Sequence, residues 1–429
     1  MSVATATPDT DHSTGHGAGR ATRLIVAASL GNALEFYEIL VYGYFAVIIS
    51  KVFFPATDEA VSLLVTYTTF GIAFLARPVG ALFLGAYGDR RGRKAALTLS
   101  ILLMTIGTAL MTLMPSYDTL GLFSPMLVIV ARLIQGFSVG GEFASSTAFL
   151  VEHRPDRAGF FASWQWSSQG MAALIATGFG VLLTSTLSAA ELQAWGWRIP
   201  FAFGLLIGPV GYYVRAHMEE TPEFLDAGAA PAPLRELLVG QWDRLILTIG
   251  AVVASTSSQY MIVYMPTYAI RELHLTPSVS FTAAVAAAAL QMVVVPFVGI
   301  LADKVGQIPI MIGATVLFAV TAYPAFMLLA ANASFAVLVA MVCWLGLLKS
   351  FYSGALPSLM AKVFPTATRV SGMSLSYNIG VAVFGGFAPS IAQTLVDVTG
   401  SKLAPSYYMI ATALLSLAAV IVLRRRYRM

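Results

Sequence analysis

With 429 residues, 58% of them hydrophobic and only 11% charged, the chain cannot cover itself with a water-soluble surface, for which roughly 25% charged residues are usual. Its solvent must be lipid, which excludes cytosolic enzymes, secreted modules and nucleic-acid readers. The formal net charge of +4 is read as lysine and arginine gathered in cytoplasmic loops. One cysteine, Cys343, leaves no intramolecular disulfide and no cysteine-based metal cluster, and the histidines show no HExxH or comparable spacing.

Residues 1–22 are rich in Thr, Ser, Gly and His without an apolar run, which predicts a disordered cytoplasmic tail and not a cleaved signal peptide. Twelve apolar stretches follow, near 23–50, 60–84, 95–114, 122–150, 159–187, 199–216, 244–270, 277–301, 308–330, 334–363, 367–396 and 404–423. Each is long enough for a helix to cross about 30 Å of hydrocarbon. The polar segment 217–243 separates an N-terminal six-helix half, 23–216, from a C-terminal half, 244–429, as a cytoplasmic linker. With both termini inside, eighteen of the 25 lysines and arginines fall in cytoplasmic segments and four, Lys51, Arg198, Arg271 and Lys402, in outer loops. That positive-inside bias sets the orientation. The remaining three, Arg77, Arg132 and Lys349, fall inside spans.

After the second span the chain reads GAYGDRRGRK, from Gly85 through Asp89, Arg90, Gly92 and Arg93 to Lys94; after the eighth it reads GILADKVGQ, from Gly299 through Asp303 and Gly306 to Gln307. Both follow G-x-x-x-D-[RK]-x-G at an offset of 214 residues, half the chain. Two six-span halves therefore repeat in one orientation, a transporter plan with the site between them. Gly85 and Gly92 suit a tight interhelical turn and close helix contact. Asp89 suits a cation or a helix N-terminus met in one conformation only. Arg90, Arg91, Arg93 and Lys94 fit a gate, or equally topology signals facing lipid headgroups.

With RLIQGFSVGGE from Arg132 to Glu142 in the fourth span, these loops resemble the major facilitator superfamily. Within it, GNALEFYE from Gly31, RPVG from Arg77, WGWRIPF from Trp195, ETPEF from Glu220, YMPTY from Tyr264 and FGGFAP from Phe384 resemble the metabolite:proton symporters. Members of that family carry citrate, tricarballylate, 2-oxoglutarate, shikimate, or proline and betaine. The resemblance implies an all-α membrane protein of twelve transmembrane helices in two parallel six-helix repeats. Glu38 stands where the family usually has Asp, which changes side-chain reach there. The second-half loop lacks a basic pair after Gly306, which predicts a weaker gate contact on that side.

An ionisable group at mid-membrane costs at least about 2.5–3.5 kcal/mol, so it marks a pathway. Glu35, Glu38 and Glu142 are the expected proton carriers, and Arg132 and Lys349 the expected substrate cations; Arg77, beside Pro78, is read as structural. Glu35 lies roughly 11 residues into its span, about 17 Å deep at 1.5 Å per residue. Asn32, Glu35, Glu38 and Tyr42 form one polar stripe up the first helix. Asn32, Tyr37, Gln135, Gln165, Gln169, Tyr260, Tyr352 and Asn378 complete the expected substrate site, although each also fits a helix-packing hydrogen bond. Gly85, Asp89, Arg90, Gly92, Arg93, Asp303 and Gly306 make the expected gate.

No GxxxxGK[ST] loop is present, so ATP is not the expected energy source. Neither an enzyme nor a cofactor is expected, only protons as the coupling ion. Desolvation and a nearby arginine pull a buried glutamate's proton affinity in opposite directions, which makes a usable switch. The expected function is proton-coupled import of a small organic anion by alternating access, with a di- or tricarboxylate such as citrate or tricarballylate as substrate. Two separated cations favour it, since arginine grips a carboxylate through two parallel hydrogen bonds and Lys349 adds a point charge from the other half. A proline/betaine-type osmolyte symporter would rest on Trp164, Trp166, Tyr260 and Tyr264 as a cage for a quaternary ammonium. A membrane receptor without net transport is a third reading. The expected setting is the bacterial inner membrane, as a monomer with both termini cytoplasmic and no nucleic-acid partner.

Overall fold

The computed structural model describes residues 29–427 apart from 30, 92, 141, 207 and 210–232. The expected tail, 1–22, and most of the expected linker lie outside the described residues. Among those described, all regular structure is helical, because in hydrocarbon a backbone must satisfy its N–H and C=O groups within its own segment.

The N-terminal half comprises α1 (Gly31–Tyr44 continued by Ala46–Phe53), α2 (Glu59–Arg91), α3 (Arg93–Leu113), α4 (Phe123–Ser138 continued by Glu142–His153), α5 (Ala158–Thr186) and the start of α6 (Arg198–Leu205). The C-terminal half comprises α7 (Trp242–Arg271), α8 (Pro277–Val305), α9 (Gln307–Ala331), α10 (Phe335–Val363), α11 (Arg369–Gly380 and Ala388–Thr399) and α12 (Ala404–Tyr427). Among the described residues ten helices are long and apolar enough to cross a membrane, and the bent pair of α1 makes eleven. Beyond Pro209, α6 falls outside the described residues. Pro233–Gly240, inside the expected linker, is itself a short helix.

Two spans depart from straight rods. α1 turns by 68° between its two parts, just past Gly43, whose missing side chain admits Val263 of α7. Glycine at a break is a usual cause of a sharp kink. In α11 a π turn, Val381–Gly385, interrupts the helix and presents Gly385 and Gly386 to neighbouring spans. A Cβ at Gly385 would lie 2.1 Å from Thr256 Oγ1, and one at Gly386 2.6 Å from the Phe74 ring.

Small residues set the helix crossings, as expected where lipid tails leave no hydrophobic force between helices. A Cβ on Gly136 would lie 1.8 Å from the Ala73 carbonyl oxygen, and one on Gly140 2.2 Å from that of Arg77. α2 and α4 therefore meet backbone to backbone. α5 and α8 form a seam along their whole length: Gly159 against Gly299, Gly170 against Met292, Gly180 against Phe281. Ser167 donates to the Met292 carbonyl at 2.7 Å and Gln291 to that of Trp166 at 3.1 Å.

The halves also touch at both ends of the bundle. At the end bearing the α2–α3 and α8–α9 loops, Arg369 pairs with Glu152 at 2.7 Å and Asn378 donates to the Gly140 carbonyl at 2.5 Å. At the other end, Tyr67 donates to Thr267 at 2.7 Å and Arg271 to the Glu59 carbonyl at 3.0 Å.

Candidate functional site

At the centre sit three cations, all but inaccessible: Arg77 on α2, Arg132 on α4 and Lys349 on α10. The α2–α4 backbone contact places the two arginines beside α1, and the α5–α8 seam brings α10 against α5. Each cation lies on an aromatic face. Arg132 is 4.4 Å from the Tyr42 ring centroid, Arg77 is 4.1 Å from that of Phe74, and Lys349 Nζ is 4.7 Å from that of Trp166. Among the described residues no carboxylate stands within ion-pair distance of any of them. Arg132 Nη1 donates to Gln135 Oε1 at 2.9 Å. Nε and Nη2 of Arg132, Nε and Nη1 of Arg77, and Lys349 Nζ have no hydrogen-bond partner.

Of the acids, Glu38 is buried beside Arg132 and Thr108, and neither of its carboxylate oxygens has a hydrogen bond. It presses on α6, where a Cβ at Gly204 would overlap Oε1 at 1.4 Å. Glu35 is buried too and engaged with a neighbour. The side chain of Glu142 lies outside the described residues.

Several expected substrate residues are committed to holding helices together. Asn32 donates to the Gln165 carbonyl and to Ser168 Oγ at 2.8 and 2.7 Å. Tyr37 donates to the Pro200 carbonyl at 2.9 Å, away from the cations, and Tyr352 to that of Ala251 at 2.6 Å. Asn378 bridges α11 to the α4 backbone at Gly140. Gln135 braces Arg132 and Thr108, while Gln165 donates to Ser146 Oγ at 2.6 Å. Gln169 differs: neither its Oε1 nor its Nε2 has a partner. Tyr260 packs on both arginine-bearing rings, 5.5 Å from Phe70 and 5.1 Å from Phe74, which are 5.1 Å from each other.

At the gate, Asp303 accepts from the backbone N–H of Gly159 at 2.6 Å and of Phe160 at 3.0 Å. It caps the N-terminus of α5, while the first-half loop against which a weaker contact is expected has its gate side chains outside the described residues. An acid bonded to a helix start needs no basic pair. Gly306 takes φ +93°, a left-handed conformation that turns α8 directly into α9. Gly85 corrects the expectation of close contact at the turn: it lies within α2, and nothing stands within 4 Å of where its Cβ would be. Gly92 and the side chains of Asp89, Arg90 and Arg93 lie outside the described residues.

The aromatic seats were not singled out in the sequence as partners of the cations. Phe74, and Phe143 stacked on Tyr377 at 3.8 Å, sit at helical spacings indistinguishable from ordinary core. Trp166 was grouped with three other rings, but those rings do not assemble. Trp164 packs edge-on to Phe160, and Tyr264 donates to Gln393 at 2.9 Å beside Tyr67.

Comparison with known proteins follows the geometry. The family model described as Major Facilitator Superfamily matches residues 29–380 and 247–428. The citrate-proton symporter of Klebsiella pneumoniae is 38% identical over 407 residues, 94% of this chain and 91% of the relative. The proline/betaine transporter of Escherichia coli (strain K12) is 35% identical over 415 residues, 93% of this chain and 82% of the relative. Among solved structures, a partially occluded inward-open form of the xylose transporter XylE from E. coli superposes with a TM-score of 0.73 at 16% identity, covering 95% of this chain and 98% of that one. That last likeness is one of fold.

Proposed function

The chain belongs to the major facilitator superfamily, among its metabolite:proton symporters, and from that membership we propose that it imports a small organic acid, a di- or tricarboxylate, together with protons. The observation that carries this reading is the set of buried cations, Arg132 from one half and Lys349 from the other, with Nε and Nη2 of Arg132 and Nζ of Lys349 left without a protein acceptor. Burying an unpaired charge costs several kcal/mol, and a desolvated cation–π contact returns only about 2. An incoming carboxylate would supply the missing partner and draw the halves together on it. Alternating access then follows from two repeats rocking about that centre. Glu38, beside Arg132 and free of hydrogen bonds, is the acid we assign to the proton.

The relatives named for citrate and for proline/betaine leave both substrate classes in view. The osmolyte reading needs an open aromatic cage. Here the Trp166 ring is occupied by Lys349, and Trp164 and Tyr264 face other partners. That arrangement supports the carboxylate. We place the protein in the bacterial inner membrane, a monomer with both termini cytoplasmic.

Right-side-out vesicles with an imposed proton gradient test the reading. Labelled citrate or tricarballylate should accumulate, a protonophore should abolish accumulation, and 2-oxoglutarate or shikimate should compete more weakly. Betaine competing while every carboxylate fails would overturn the substrate. Accumulation indifferent to the protonophore would overturn the coupling.

A further inference from the structure

Arginines that hold this fold together have a recognisable habit. Arg198 donates to the carbonyls of Ala194 and Met114 at 2.9 and 2.8 Å. Arg244 donates to the Val363 carbonyl at 2.6 Å, and Arg369 to that of Ala361 at 3.0 Å and to Glu152 at 2.7 Å. Among the described residues Arg77 makes no such bond, although it is 1% exposed. Its guanidinium carbon lies 4.1 Å from the Phe74 centroid and 5.7 Å from that of Phe36. An aromatic ring answers the charge but is no conventional acceptor, and Nε and Nη1 stay without partners. Leaving such donors buried is costly, more so for a charged group, so a purely structural Arg77 would be a poor solution.

Its surroundings say what would satisfy it. Phe70, Phe74 and Tyr260 form one three-ring cluster, with Arg132 5.6 Å from the Phe70 centroid and Arg77 on Phe74. Both arginines bear on the Tyr260 hydroxyl. Lys349 stands on a second ring group, at Trp166, which adjoins Phe143 and through it Tyr377.

We infer that Arg77, with Arg132 and Tyr260, forms a subsite for one carboxylate of the substrate, while Lys349 takes another. The inference rests on the carboxylate reading above and deepens it: two separate cationic stations, each seated on its own ring group, select acids with at least two carboxylates.

Counterflow in proteoliposomes, with labelled tricarballylate and no proton gradient, tests the subsite. Arg77→Gln should raise the half-saturation concentration roughly ten- to a hundredfold, as expected for lost hydrogen bonds to a charged group. The maximal rate should fall far less, and the melting temperature in detergent should stay near that of the wild type. Arg77→Lys should lie between, having the charge without the fork. An unchanged half-saturation with a lowered melting temperature or rate would make Arg77 structural. A rise reproduced by Glu142→Gln, with the double variant no worse than either single one, would make Arg77 the partner of Glu142. If Arg77→Gln does not fold, Arg77→Lys decides: stabilisation by tricarballylate at wild-type concentrations in a thermal shift assay overturns the subsite. Wild-type protein that exchanges none of tricarballylate, citrate and succinate overturns the carboxylate reading itself, a failure visible before any variant is made.

Discussion

Lys349 Nζ, from the C-terminal half, rests 4.7 Å from the ring centroid of Trp166, from the N-terminal half, and has no hydrogen-bond partner. This contact joins the two repeats at their centre through a charge that an anion could claim. Carboxylate binding should therefore pull the ammonium away from the indole. Tricarballylate should change tryptophan emission in the wild type, and most of that change should vanish in Trp166→Phe. Lys349→Ala should raise half-saturation roughly tenfold or more. Normal uptake by Lys349→Ala would remove it from the site.

Glu38 and Arg132 form the expected coupling pair. Glu38→Gln keeps the shape of the side chain but removes its titration, so gradient-driven accumulation should be lost while counterflow stays measurable. The pH dependence of uptake should flatten with it. Glu35→Gln is the companion measurement, and pH profiles unchanged in both variants would transfer the role to Glu142. Gly204→Ala should impair coupling as well, because a methyl group there would displace the Glu38 carboxylate.

Asp303 holds the start of α5 through two backbone N–H groups. Asp303→Asn keeps an acceptor and loses the charge, an interaction worth typically about 0.3–1 kcal/mol at a helix N-terminus. The bundle should open more often at that end. In a Cys343→Ala background, Ser163→Cys, buried beneath this contact against Gly299, should react with a maleimide roughly two- to fivefold faster once Asp303 is changed. Equal rates would mean that Asp303 does not close the gate.

Gly136 and Gly85 should respond oppositely to the same substitution. Gly136→Ala drives a methyl group into the Ala73 carbonyl, overpacking that usually costs about 1–3 kcal/mol and exceeds the gain of up to about 1 kcal/mol in helix propensity. Its melting temperature in detergent should drop by several degrees. Gly85→Ala meets open space and should be neutral or slightly stabilising. A loss of stability at Gly85 equal to that at Gly136 would contradict the packing described.

What the sequence determined by itself is whatever short-range pattern encodes. The length of each apolar run marks a span, the loop cations predict a sidedness, and the motif repeated from Gly85 at Gly299 reveals the two halves. Charge at mid-membrane marks Glu38, Arg132 and Lys349 without any fold. Only the tertiary structure decided which polar groups are used up and which are left over. Helical spacing says that Asn32, Tyr37, Tyr352 and Asn378 lie on polar faces, but not that each meets a backbone carbonyl on a crossing helix. The same spacing says nothing of Arg77, whose Nε and Nη1 are left unpaired. Those partners lie on other helices, and crossings set by glycine contacts such as Gly136 on Ala73 decide who meets whom. Even the repeated motif shows it: Gly299 is pressed against Gly159 while its counterpart Gly85 touches nothing, because a spacing along the chain carries no crossing angle.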